Sequence, residues 1–133
     1  MAIHKFQPGQ SVTFKASGSI TAGQLVTVSG DREVTAGTAA NGAKAIGSAA
    51  TAAANGEDVL VLIGGVQLLE AASDITAGAL VVGADGGKIA AVAAVTTPTP
   101  ADVTSTRAIL GIALTSVDVS EAADDRIEVL LFR

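Results

Sequence analysis

A short stretch occurs twice in this chain, as ITAGQLV at Ile20–Val26 and as ITAGALV at Ile75–Val81. Further pairs follow in the same order: Ile46–Ala49 with Leu110–Ala113, and Asp58–Leu62 with Arg126–Leu130. Such duplication indicates one β-module present in two copies. Because an open solenoid usually needs about three or more repeats to cover its core, we expect the copies to close on each other as one barrel or sandwich.

The pattern around these segments is that of strands and tight turns. Ser11–Ala16 alternates polar and apolar residues, as a half-buried strand does. Val59–Ile63 is a continuous apolar run between Asn55-Gly56 and Gly64-Gly65, which is typical of a fully buried strand. Asn-Gly and Asp-Gly pairs, the latter at Asp85-Gly86, favour hairpin turns. A glycine at the same place in both ITAG turns, Gly23 and Gly78, indicates a backbone with positive φ.

These patterns predict an all-β fold, a small barrel or sandwich built from two sequence-related β-modules. We expect a single domain over residues 1–133, with repeat one at 19–66 and repeat two at 74–133. Residues 1–18 lie outside the repeat. They could form an N-terminal arm that adds as a strand to a neighbouring chain, or the first strand of the same sheet.

Composition narrows the possible functions. The hydrophobic fraction is 49%, yet the chain has three Phe and no Trp or Tyr, which disfavours a ligand pocket or a stacking surface. The net charge of −5 disfavours nucleic acid as a partner. The absence of cysteine excludes thiolate nucleophiles and zinc–thiolate sites. No apolar run is long enough to span a bilayer as a helix, so we expect no membrane association.

Motifs that would carry chemistry are incomplete. His4 is the only histidine and lies near the N-terminus, where a catalytic group would be poorly positioned. Most carboxylates fall in turns, and Glu121 with Asp124-Asp125 is better explained as a solvated turn than as a cation site. Gly37–Ala45 resembles a phosphate loop, but Ala43 precedes Lys44 and no Ser or Thr follows. We therefore predict no catalytic residue, no cofactor and no metal.

Several segments taken together resemble one family, the small capsid decoration (cement) proteins of tailed phages. They are Phe6–Phe14, the Ile20–Gly23 turn, Ala45–Ala49, Gly64–Val66 and Ile109–Ala113. Sequences of this kind often carry a label as RecA/RadA-type phage recombinases. The incomplete phosphate loop argues against that activity.

The resemblance implies a structural virion protein on the outside of an HK97-type capsid, made in the host bacterial cytoplasm. Its implied partners are the major capsid protein and further copies of itself in a homotrimer, and its role is to stabilise the shell against the pressure of packaged DNA. A virion-displayed adhesion or carbohydrate-binding β-module is the alternative, although the chain lacks Trp and Tyr platforms for sugars. An enzyme that uses carboxylates alone is a third possibility.

Two segments are the candidates for capsid contact. The first is the N-terminal arm, and the second is the loop that carries Pro98 and Pro100, because loops on a rigid β scaffold are common contact sites. An arm used only within the trimer is the alternative for the first segment. The arm residues are Ala2, Ile3, His4, Lys5, Phe6, Gln7 and Pro8.

Overall fold

The computed structural model of the chain describes residues 7–92, 108–120 and 125–132. Strands dominate these residues, and the single helical element among them is a 3-10 turn at Gly42–Lys44, so none of them forms a helix long enough to cross a membrane. The predicted all-β fold class is confirmed. The strands are β1 Gln7–Ala16, β2 Leu25–Gly30, β3 Glu33–Ala36, β4 Ala45–Ala49, β5 Asp58–Glu70, β6 Leu80–Ala84, β7 Lys88–Ala91, β8 Gly111–Ala113 and β9 Arg126–Leu131.

The first five strands form a closed barrel in the order β1-β3-β2-β4-β5, with β5 pairing back onto β1. All of these pairings are antiparallel except that of β1 with β3, which is parallel and joins Lys15 to Glu33 and Ala16 to Val34. β1 is therefore a strand of the chain's own sheet from Gln7 onward. We call β1–β4 with Asp58–Ile63 of β5 copy one.

Copy two consists of the second half of β5, Gly65–Glu70, together with β6–β9. Its strands continue the sheet in the order β5-β9-β8-β6-β7. A parallel bridge from Ala71 to Ile89 brings β7 back to the end of β5, at the place where Ala16 meets Val34 in copy one. β5 thus serves both copies and runs past residue 66, while the division of the chain at residues 18, 66 and 74 stays a prediction.

The turns of the two copies repeat at the level of single hydrogen bonds. In copy one the Gly23 N–H donates to the Ala49 carbonyl at 2.7 Å, and in copy two the Gly78 N–H donates to the Ala113 carbonyl at 2.8 Å. Both glycines have φ of 90°, so the predicted positive φ is confirmed. The sequence repeat is therefore a repeat of backbone geometry.

We expected the two copies to close on each other around one core. Instead, each copy encloses a hydrophobic cluster of its own. The copy-one cluster includes Val26, Val34 and Val59, all fully buried. The copy-two cluster includes the equivalent residues Val81, Ile89 and Ile127, and it also takes in Leu25 and Ala45 from copy one. The copies pack side by side through these last two residues and through β5.

β5 also continues where the sequence predicted its end. Gly64 and Gly65 have φ of 71° and 68°, a conformation that glycine adopts without strain. The strand bends there without stopping and exchanges β4 for β9 as its neighbour. The run before the bend is less buried than predicted: Val59 and Val61 face the core, whereas Leu60 and Leu62 are half-buried on the other face.

Candidate interaction surface

Of the predicted capsid-contact residues, the structure describes only Gln7 and Pro8. Gln7 and Pro8 begin β1 and pair with Val66 and Gly65 of β5. Ala2, Ile3, His4, Lys5 and Phe6, together with Pro98 and Pro100, lie outside the described residues.

Carboxylates in the described turns satisfy backbone donors. Asp85 Oδ1 accepts from the Ala39 N–H at 3.0 Å, and Asp74 Oδ1 accepts from the Val119 N–H at 3.0 Å. The Ser120 hydroxyl and N–H both donate to Asp118, which holds the pKa of that carboxyl below its usual value. No cluster of three or more metal-ligating side chains occurs within residues 7–92, 108–120 and 125–132. Of Glu121, Asp124 and Asp125, which the sequence analysis assigned to a solvated turn, only Asp125 is among them.

The segment that resembles a phosphate loop has a structural role. Gly42–Lys44 forms one 3-10 turn, and Gly42 packs against Gly83 of β6. The turn borders a shallow cleft of about 270 Å³ between the two copies. The described residues that line this cleft are small and apolar, and none of them carries a charge that could bind a phosphate: Ala39, Ala40, Gly42, Ala43, Val82, Gly83 and Ala108.

The most distinctive surface is an apolar row across the outer face of copy two. Leu80 on β6 pairs with Ile112 on β8, Ile112 pairs with Leu130 on β9, and Leu130 pairs with Val66 on β5. Side chains at paired positions lie on the same face of a sheet. Leu80 is 40% exposed and Leu130 is 38% exposed. We call Val66, Leu80, Ile112 and Leu130 the apolar row.

Phe132 extends this surface, because it follows Leu130 by two positions and so lies on the same face. It is 59% exposed, the most of the large apolar side chains in the described part of the chain. Sequence analysis missed both features, since nothing in the pattern of β9 distinguishes a covered face from an open one. Contiguous exposed apolar patches commonly mark interaction sites.

A comparison with known families decides the class of protein. The sequence profile of the phage cement protein family matches residues 6–131. The chain belongs to the phage cement protein family. It is accordingly a structural protein of the phage particle, and this membership favours a structural role over catalysis. No match was found among curated proteins.

The solved structures add a similarity in fold. The N base of the head fiber gp8.5 of bacteriophage phi29 superposes with a TM-score of 0.64 at 16% sequence identity, and the alignment covers 92% of each chain. At this identity the similarity concerns the architecture alone. The cement protein chain and that base share one arrangement of strands over nearly their full lengths.

Proposed function

We propose that this cement protein binds the outside of an HK97-type phage capsid and stabilises the shell against the pressure of packaged DNA. The family match over residues 6–131 carries the proposal. The major capsid protein is the proposed partner, and the bound form is a homotrimer. A trimer that touches several capsid subunits gains avidity from contacts that are individually weak.

The N-terminal arm is the first proposed contact. It leads directly into β1, whose pairing with β3 among the described residues is limited to Lys15 and Ala16. From Gln7 to Phe14 β1 pairs with β5 on one side, so its other edge has no partner strand in the described part of the chain. Strand addition at such an edge would supply main-chain hydrogen bonds to a capsid segment.

The continuity of the sheet supports a role in stabilising the shell. The two copies share β5, and every described strand belongs to one sheet. Mechanical load applied at one copy would therefore pass to the other through backbone hydrogen bonds rather than through a flexible linker. The segment with Pro98 and Pro100, which lies between β7 and β8 in the sequence, is the second proposed contact.

Co-sedimentation with capsids that lack the protein tests this function. The purified chain should pellet with mature capsids of its own phage and raise their temperature of DNA release. A variant without residues 2–6 keeps β1 intact and should lose binding while its far-UV circular dichroism stays unchanged. Failure of the full chain to bind would refute the capsid role, and normal binding by the truncated chain would refute only the arm. Binding to host glycans instead would favour the adhesion module.

A further inference from the structure

The same sheet surface occurs once in each copy, but it is buried in copy one and exposed to solvent in copy two. Leu25 in copy one and Leu80 in copy two occupy the same position in the repeated ITAG–strand segment. Leu25 is 1% exposed and belongs to the copy-two cluster, whereas Leu80 is 40% exposed. The difference arises because copy two itself packs over Leu25.

Backbone hydrogen bonds hold this internal contact together. The Gly37 N–H donates to the Leu25 carbonyl at 2.7 Å, the Leu25 N–H donates to the Gly87 carbonyl at 2.8 Å, and the Gly87 N–H donates to the Gly37 carbonyl at 2.9 Å. Gly87 of the β6–β7 hairpin thus closes a ring of bonds with two residues of copy one. Copy two repeats the first of these bonds, from the Val92 N–H to the Leu80 carbonyl at 2.9 Å.

The residue paired with Leu25 is also buried in copy one by contact with copy two. Ser48, the equivalent of Ile112, is 4% exposed, and its hydroxyl donates to Gln67 Oε1 of copy two at 2.5 Å. In copy two the position holds an isoleucine between two exposed leucines, Leu80 and Leu130. This face of the sheet is therefore more apolar in copy two, where it is exposed to solvent, than in copy one, where it is buried.

We infer that the apolar row and Phe132 are covered by a second copy of this chain, which presents the β2–β3 hairpin of its copy one and so repeats the internal contact head to tail. The inference rests on the proposed function only for its expectation of a homo-oligomer. Beyond that expectation, the inference names the two surfaces that form the contact and the head-to-tail arrangement of the chains.

The β2–β3 hairpin has the features that such a contact needs. It is the equivalent of the β6–β7 hairpin, with Arg32 at φ of 56° where Gly87 has 71°. Val28 takes the place of Gly83 and is 39% exposed, so the hairpin presents an apolar side chain to the row.

The tip of the hairpin cannot approach as closely between chains as it does within the chain. A Cβ at Gly87 would lie 2.7 Å from the Cβ of Gln24. The equivalent residues in the proposed contact, Arg32 and Ala79, both carry a Cβ and must therefore lie farther apart. The contact between chains would therefore be a looser variant of the internal one.

A head-to-tail contact uses two different surfaces, so it can close into a ring of identical chains.

The head-to-tail arrangement also predicts that two different variants restore one contact when they are mixed. A variant blocked on the row, Leu130→Asp, keeps a working hairpin, and a variant blocked on the hairpin, Val28→Asp, keeps a working row. Each should be monomeric alone, and an equimolar mixture should form a heterodimer through the one intact contact.

The experiment is analytical ultracentrifugation of the full chain and its variants over a dilution series, without capsids. We expect the native chain to be oligomeric. Leu130→Asp, Leu80→Asp and Val28→Asp should each raise the dissociation constant at least about 30-fold, as loss of a central interface residue does. Ala52→Asp, at an exposed turn outside both surfaces, should leave it unchanged. Circular dichroism checks that each variant is folded.

A native chain that stays monomeric at every concentration would overturn the inference, as would folded row variants that keep the native mass. Self-association with no heterodimer in the mixture would overturn the head-to-tail arrangement. Capsid binding is measured separately with the native chain, so a monomer that still binds capsids would refute this inference alone.

Discussion

Gly47 lies so close to the carbonyl oxygen of Leu62 that a Cβ atom at residue 47 would overlap it. Copy two repeats the relationship between Gly111 and Leu130. β4 and β8 therefore cross the neighbouring strand at a separation that a side chain does not permit, and the repeat keeps glycine at both positions for this reason.

Substitution of either crossing glycine should destabilise the fold. The atom in the way belongs to the backbone, so Gly47→Ala and Gly111→Ala should each cost about 1–3 kcal/mol or more, as overpacking does. Chemical denaturation measures the free energy of unfolding. Gly30→Ala is the matched control, because a Cβ there meets only the flexible Glu33 side chain. Equal stability of Gly47→Ala and this control would contradict the close approach.

Substitution of the glycine in an ITAG turn should destabilise the fold through backbone strain rather than through a steric clash with neighbouring atoms. A Cβ at Gly78 has no described atom within 4 Å, but φ is 90°. Gly78→Ala should therefore cost about 1–2 kcal/mol of backbone strain. Gly78→Asn should cost less, since asparagine tolerates positive φ better. Thermal unfolding of the pair tests this, and an alanine variant as stable as the asparagine variant would be contrary evidence.

Gln67 should be a key polar residue between the copies. It is buried, accepts from the Ser48 hydroxyl, and donates to the carbonyls of Leu62 and Gly64 at 2.9 Å. Gln67→Met should cost about 1–3 kcal/mol by leaving these groups unpaired.

The double variant Ser48→Ala with Gln67→Met should lose less stability than the sum of the two single variants, because it removes both partners of one bond. Urea denaturation of the four proteins gives the coupling energy. Strict additivity would show that the hydroxyl–amide bond contributes nothing.

Asp118 should titrate below the usual range of an aspartate, because Ser120 donates to it from both its hydroxyl and its N–H. Ser120→Ala removes the hydroxyl and should raise the pKa part of the way back. A depressed folded-state pKa stabilises the fold above the unfolded pKa, and this contribution is lost as pH falls through the folded value. Carboxyl NMR titration measures the change, and an unaltered pKa in the variant would contradict this assignment.

Local features were predictable from the sequence. The strand at Ser11–Ala16, the ITAG turns and the Asp85-Gly86 hairpin depend on residues that are neighbours in the chain, and the structure places them as predicted. The end of β5 was not predictable. A glycine pair typically marks the end of a strand, but pairing with β9 allows β5 to continue past Gly64 and Gly65.

The difference between Leu25 and Leu80 was also beyond sequence reasoning. The two residues lie in nearly identical heptapeptides, and only the packing of copy two on copy one buries the first and exposes the second. The apolar row could therefore be recognised only after the strands had been assembled. The arm residues 2–6 and the Pro98 and Pro100 loop stay predictions from the family resemblance.

The most direct test of the central claim, a lattice-wide structural role on the capsid, is quantitative mass spectrometry of purified phage particles. The measured quantity is the number of copies of this chain per major capsid subunit. A ratio near one, or a simple fraction of it, is the result that we predict for a protein that occupies every equivalent site. A ratio near zero would remove the chain from the shell and contradict the account.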